Sequence, residues 1–149
     1  MVNAREQSML APLLGEVVQG MGERPAALSY RALLDDVEAG AVPAFHFPTL
    51  ESFLELGLHT GRFRARFGGL GEEALVRLFH QTPRGAMLAE AVGEVNRALA
   101  SLVGQTIEHI DLATHGPDSY ALGIQTDRCR LTVRIEPTGI RISDLELAV

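Results

Sequence analysis

The hydrophobic periodicity of the chain changes at Gly104, and this change limits the fold more than any other feature. Before Gly104, apolar residues recur at three- and four-residue steps, the spacing of helices that bury one face. After Gly104 they alternate with polar residues, which is typical of strands with one buried face. The predicted strands are Thr106–Thr114, Ser119–Thr126, Cys129–Glu136 and Ile140–Ala148.

Three short polar segments separate these strands and set their direction. They have the residue types of turns: Gly116-Pro117-Asp118, Thr126-Asp127-Arg128 and Pro137-Thr138-Gly139. Because connections this short join antiparallel neighbours, the four strands should form a meander. We therefore predict an α+β fold in which the helical N-terminal two-thirds pack on a C-terminal four-stranded antiparallel sheet in two layers. With 149 residues, 46% of them hydrophobic, the chain should form one domain over residues 1–149.

The helical region carries clear start and stop signals. Helices are predicted over Arg5–Met21, Pro25–Gly40, a segment capped by Thr49, and 69–81. Pro12 lies inside the first of these and predicts a start or a kink there. The pair Thr82-Pro83 should begin the longest helix, which ends at Gly104. Between the second and third helices, the proline-bounded segment Ala41–Pro48 is predicted to be extended.

The segment Gly61–Gly69 has two interpretations that the sequence leaves open. Read as a strand, it places Arg62, Arg64 and Arg66 on one side, as a phosphate or nucleic-acid contact would require. Read as a helix end, it spreads the arginines apart and stacks its two phenylalanines at a four-residue spacing. The acidic charge of the whole chain favours the helix.

Alternation along the strands assigns the two faces of the sheet. An apolar face should meet the longest helix, and it includes Ile110, Leu112, Tyr120, Leu122, Ile124, Leu131, Val133 and Ile135. The opposite face carries the candidate ligand or partner residues, which are His109, Asp111, Arg130, Arg134 and Arg141. Arginine forks suit carboxylates and phosphates, although a solvated sheet face has a similar composition.

The last strand changes phase between Ile142 and Leu145, which predicts a bulge near Ser143-Asp144. A free sheet edge is a site at which another chain can add a strand. This strand is therefore the predicted contact with a partner, and a homo-oligomer is expected.

Composition excludes several chemistries. All 13 basic residues are arginine, so the chain cannot supply a lysine Schiff base or a P-loop lysine. The exclusive use of arginine is typical of a GC-rich, bacterial genome. One cysteine, Cys129, allows neither an internal disulfide nor a multi-cysteine metal site. The five histidines follow no metal-ligand spacing. We assign no catalytic residue, no metal site and no cofactor.

Net charge and hydropathy bear on two questions: whether the chain binds nucleic acid, and whether it is secreted or crosses a membrane. A net charge of −6 argues against general nucleic-acid binding. The sequence has neither a signal peptide pattern nor an apolar run long enough for a membrane span. We expect a cytoplasmic protein without a membrane or nucleic-acid partner.

Three functional interpretations stay open. The first is a non-enzymatic binding or assembly module that acts through a helix face or an edge strand, with itself or another protein. The second is a small-ligand domain with an apolar pocket between helices and sheet, lined by Phe45, Phe47, Phe53, Phe79 and Tyr120. The third, ranked last, is an enzyme that uses His109 and Asp111 on one strand face.

Overall fold

The computed structural model describes residues Met1–Ala148 and confirms the α+β fold. Its elements in chain order are α1 (Ala4–Met21), α2 (Ala26–Ala39), a 3-10 turn (Ala44–His46), α3 (Phe47–His59), α4 (Arg62–His80), α5 (Pro83–Ala100), β1 (Ile107–Gly116), β2 (Ser119–Thr126), β3 (Cys129–Glu136) and β4 (Gly139–Leu147). The chain forms two compact units, Met1–Ala86 and Met87–Val149, here called the helical unit and the sheet unit. The single domain expected from the sequence stays a prediction.

Helix α1 begins at a capping box that fixes its first turn. The Asn3 side chain accepts a hydrogen bond from the Glu6 amide at 2.9 Å, and the Glu6 carboxylate accepts one from the Asn3 amide at 2.8 Å. These two bonds satisfy amide groups that the first turn would otherwise leave unpaired. The helix therefore starts well before Pro12, not at it.

The segment around Phe45 differs from the prediction. Ala41–Pro48 is not an extended crossing, because a 3-10 turn leads directly into α3 at Phe47. Proline is tolerated in the first turn of a helix, so Pro48 is part of α3 and Thr49 is not its cap. Phe45, which was expected to line an apolar pocket, is 75% exposed.

The segment Gly61–Gly69 is helical, which resolves the alternative left open by the sequence. Within α4 only Gly68 leaves helical geometry, with φ 73° and ψ −178°, and it separates a short first part from a longer second part. This conformation is accessible to glycine and strained for other residues. The rings of Phe63 and Phe67 lie 6.5 Å apart, as a four-residue helical spacing requires.

Helix α5 begins as the sequence indicated. The buried Thr82 hydroxyl accepts a hydrogen bond from the Gly85 amide at 3.2 Å and donates one to the Phe79 carbonyl at 2.7 Å. Pro83 then occupies the first helical position.

The sheet is an antiparallel meander with strand order β1-β2-β3-β4. β2 and β3 have the predicted bounds, and β1 and β4 differ by one or two residues at their ends. In the pairing of β3 with β4, Thr132 lies opposite Asp144 and Val133 opposite Ile142, so Ser143 is the extra residue of a bulge. The bulge predicted at Ser143-Asp144 is confirmed.

The core of the sheet unit lies between α5 and the middle of the apolar sheet face. Val95, Leu131 and Val133 form its buried cluster. Ile110 and Leu112 share this face, yet they are 54% and 64% exposed, so the prediction that they meet the long helix is wrong. A helix is ~10–12 Å wide and strands lie ~4.8 Å apart, so one helix covers about two strands of four.

Candidate functional site

The helical unit contains an apolar groove of about 440 Å³. Its walls come from α1, α3 and α4 and include Leu13, Val17, Met21, Phe53, Leu56 and Phe63. Tyr30, Thr60 and Arg62 add polar groups to the lining. The volume lies within the ~300–1,000 Å³ range of small-molecule sites.

The floor of the groove depends on a close contact between Gly57 of α3 and the ring of Phe63 of α4. A Cβ atom at Gly57 would overlap this ring, so only glycine admits it. Phe63 is 1% exposed, and its ring centroid lies 5.9 Å from that of Phe53. The short turn at Thr60 and Gly61, with Gly61 at φ 71°, returns the chain to make this contact.

The three arginines in the first part of α4, before Gly68, differ in their partners. Arg66 donates two hydrogen bonds to the Glu16 carboxylate, at 2.7 and 2.9 Å, and Arg64 Nε lies 3.1 Å from Glu72. Arg62 lines the groove and has no carboxylate partner within residues 1–148. The groove therefore has one uncompensated cation in its lining.

The five sequence-predicted face residues do lie on one side of the sheet. The register aligns His109 with Gln125 and Arg130 in one row, and Arg134 with Arg141 in another. His109 Nε2 is 3.5 Å from Asp111 Oδ1, and both side chains are more than half exposed.

The arginines of this face form loose contacts around one carboxylate. Arg134 Nη1 and Arg141 Nη2 lie 3.8 and 3.7 Å from Glu136 Oε1. The Nε atom of Arg134 is buried and has no hydrogen-bond partner among the described residues. Arg130 lies opposite Glu146 of β4, so its charge also has an acidic neighbour. Each of the three arginines thus has an acidic neighbour, while Arg134 and Arg141 also lie directly opposite each other.

The residues of the predicted enzyme site lie on an open surface. His109 and Asp111 belong to the edge strand β1, and neither lines the groove or the two smaller depressions of the sheet unit. A general base acts on a substrate held within hydrogen-bond reach, which a concave site makes easier. The His109 side chain is 66% exposed, so it has no such enclosure.

The residues of the predicted apolar pocket have different environments. Of the five, Phe53 lines the groove, Phe79 is buried, and Phe47 is half-buried. Phe45 and Tyr120 are both exposed, and Tyr120 belongs to the sheet unit. The groove of the helical unit is thus a different site from the predicted one.

The two edges of the sheet are unlike each other. β1 has ten residues, all exposed. It pairs regularly with β2 from His109 to Thr114, and its register shifts on either side of this segment. β4 carries the bulge at Ser143, which interrupts its pairing. A regular, exposed edge can accept another strand, whereas a bulge is one of the features that block such pairing.

His46 pairs with Asp36, a contact that the sequence did not predict. The Nδ1 atom of His46 contacts the Asp36 carboxylate, both side chains are mostly buried, and the Phe45 ring lies 4.3 Å from the imidazole. The pair spans the turn between α2 and α3, and no motif spacing connects residues of these types at this separation. Its location at the start of α3 fits a structural link between the two helices.

Within residues 1–148 no three histidine, cysteine, aspartate or glutamate side chains are grouped so that they could hold a metal ion. None of the helices between Met1 and Ala148 is long and apolar enough to cross a membrane. No protein-family model matches the chain, and comparisons with curated proteins and with solved structures returned no significant match.

Proposed function

We propose that this protein is a non-enzymatic assembly module that self-associates through the edge of its sheet. The observation that carries the proposal is the exposure of all ten residues of β1, including the apolar side chains of Ile110 and Leu112. Exposed apolar residues on a regular edge strand favour pairing with another chain. The cytoplasmic location expected from the sequence stays part of this proposal.

We place the self-association at β1, although the sequence predicted the partner contact at the last strand. Both strands expose apolar side chains on the same face, and Leu145 of β4 is 50% exposed. The bulge at Ser143 interrupts the β4 ladder, however, whereas β1 is regular from His109 to Thr114. Strand addition requires a regular row of free amide and carbonyl groups, which β1 supplies from His109 to Thr114.

Three residues of β1, His109, Ile110 and Asp111, are complementary to a second copy of themselves in an antiparallel register. A two-fold axis through Ile110 places Ile110 opposite its own copy, and it places His109 opposite Asp111 of the second copy, twice. An axis through Asp111 would instead oppose two carboxylates, which is unfavourable. The axis through Ile110 also keeps the apolar faces of the two sheets on the same side, because directly opposite residues point the same way.

A charge exchange across the two-fold axis tests this register. His109→Asp opposes two carboxylates, and Asp111→Arg opposes an arginine and a histidine. We expect each single variant to weaken the dimer about tenfold, since each contact occurs twice and contributes up to ~1 kcal/mol. The double variant His109→Asp/Asp111→Arg restores opposite charges and should recover most of the affinity. The measurement is the dimer dissociation constant from sedimentation equilibrium.

His115→Asp is the matched control, because it adds the same charge to β1 outside the regular segment. It should leave the dissociation constant close to that of the wild type. If the double variant loses as much dimer affinity as the two single variants together, the register is rejected. If His115→Asp weakens the dimer as much as His109→Asp does, the effect comes from net charge and not from the register.

A further inference from the structure

The groove of the helical unit has the composition of a site for an amphiphile. Its walls are largely aliphatic and aromatic, and Leu56 of α3 remains 60% exposed within it. A helix in a packed bundle normally buries such a residue. The groove thus leaves an apolar surface that an apolar chain could cover, with a gain of about 25 cal/mol for each Å² removed from water.

The charge of the groove lining indicates which head group a bound amphiphile would carry. Arg62 belongs to the lining and has no carboxylate partner within residues 1–148, whereas Arg64 and Arg66 lie outside the lining and pair with Glu72 and Glu16. A guanidinium group binds a carboxylate through two parallel hydrogen bonds. One cation suits a head group with one negative charge better than a phosphate monoester, which carries about −1.5 to −2.

From this geometry we infer that the groove binds a single-chain fatty carboxylate. The acyl chain lies along Val17, Phe53 and Leu56, and the carboxylate pairs with Arg62. The volume of about 440 Å³ accommodates a small ligand and not a folded partner. This site is independent of the proposed β1 contact, because its lining residues all belong to the helical unit.

The head-group contact is tested by calorimetric titration of the full chain with decanoate and with decanol, both below their aggregation concentrations. The wild type should bind decanoate more tightly than decanol. Arg62→Gln should weaken decanoate binding about tenfold and leave decanol binding unchanged, since only the charged hydrogen bonds are lost. Arg77→Gln is the matched control on the same helix, and it should bind both ligands as the wild type does.

The tail contact is tested by Leu56→Glu, which places a carboxylate in the groove at an exposed position that the fold tolerates. This variant should lose decanoate binding and weaken decanol binding, while its sedimentation stays that of the wild type. Ile110→Lys, at the proposed dimer edge, should bind decanoate normally. That result separates the ligand site from self-association.

Several results would overturn the inference. Decanoate that does not bind, or that binds Leu56→Glu as well as the wild type, would exclude the groove as its site. An equal loss of both ligands in Arg62→Gln would exclude the proposed head-group contact. Loss of self-association in Leu56→Glu would show that the groove receives a second copy of the chain.

Discussion

The helical unit has a larger buried apolar core than the sheet unit, although each unit exposes some apolar side chains. In the helical unit, helices surround one another, and residues such as Leu10, Leu33 and Leu54 are fully buried. In the sheet unit, a single helix lies on four strands, and the outer strands keep apolar residues exposed. The difference follows from geometry, because one helix is too narrow to cover the sheet.

This contrast connects the architecture with the proposed function. Residues buried within a unit contribute to its folding, whereas exposed apolar residues on a regular edge contribute to association. If the contrast is correct, apolar truncations should separate into two classes: large effects on unfolding for buried residues, and small effects on unfolding for residues of β1.

Phe63→Ala should have the largest effect, because the ring is buried against Gly57 and Phe53. We expect a loss of about 3–5 kcal/mol in the free energy of unfolding. Urea denaturation followed by circular dichroism measures it. A loss below about 1 kcal/mol would mean that the aromatic contact does not hold α3 and α4 together.

Leu131→Ala and Leu112→Ala form a matched pair on one face of the sheet. Leu131 is fully buried beneath α5, and Leu112 is largely exposed on β1. At a concentration low enough to keep the protein monomeric, Leu131→Ala should cost about 2–5 kcal/mol of unfolding free energy. Leu112→Ala should change it by at most about 0.5 kcal/mol. Equal losses of unfolding free energy in the two variants would contradict the division of this face into a buried centre and an exposed edge.

Gly68→Ala tests the interruption of α4. The positive φ of Gly68 is strained for alanine, so we expect a loss of about 1–3 kcal/mol in thermal or urea unfolding. The neighbouring Gly69→Ala is the control, because Gly69 lies in the helix with open space around a new Cβ atom. That variant should be neutral or up to about 1 kcal/mol more stable than the wild type. If Gly69→Ala were less stable than Gly68→Ala, the interruption of the helix would not lie at Gly68.

Asn3→Ala removes the side-chain acceptor of the capping box at α1. The expected cost is about 0.5–2 kcal/mol, the usual effect of losing such a cap. Asn3→Asp keeps the acceptor and should retain most of the stability. If Asn3→Ala and Asn3→Asp unfold alike, the capping box does not contribute to the stability of α1.

The sequence predicted elements whose signals are local. The bounds of β2 and β3 and the bulge at Ser143 follow from alternation and turn residues, which act within a few positions. The face that carries Arg130 and Arg134 follows from the same alternation.

Features that depend on packing between distant segments could not be predicted in this way. The exposure of Ile110 depends on how many strands α5 covers. Hydrophobic periodicity along the chain carries no information about this. The groove forms between α1, α3 and α4, with Tyr30 of α2 at its lining, and the pairing of His46 with Asp36 requires α2 and α3 to be placed first. Pro48 also misled the prediction, because a proline permits the first turn of a helix as readily as an extended segment.

The most direct test of the central claim is sedimentation velocity of the wild type beside Ile110→Lys and Leu145→Lys. These residues lie on the same face at opposite edges of the sheet and have similar exposure. We predict a concentration-dependent dimer for the wild type and for Leu145→Lys, and a monomer for Ile110→Lys. A monomeric wild type, or a dimer lost in Leu145→Lys and kept in Ile110→Lys, would contradict association through β1.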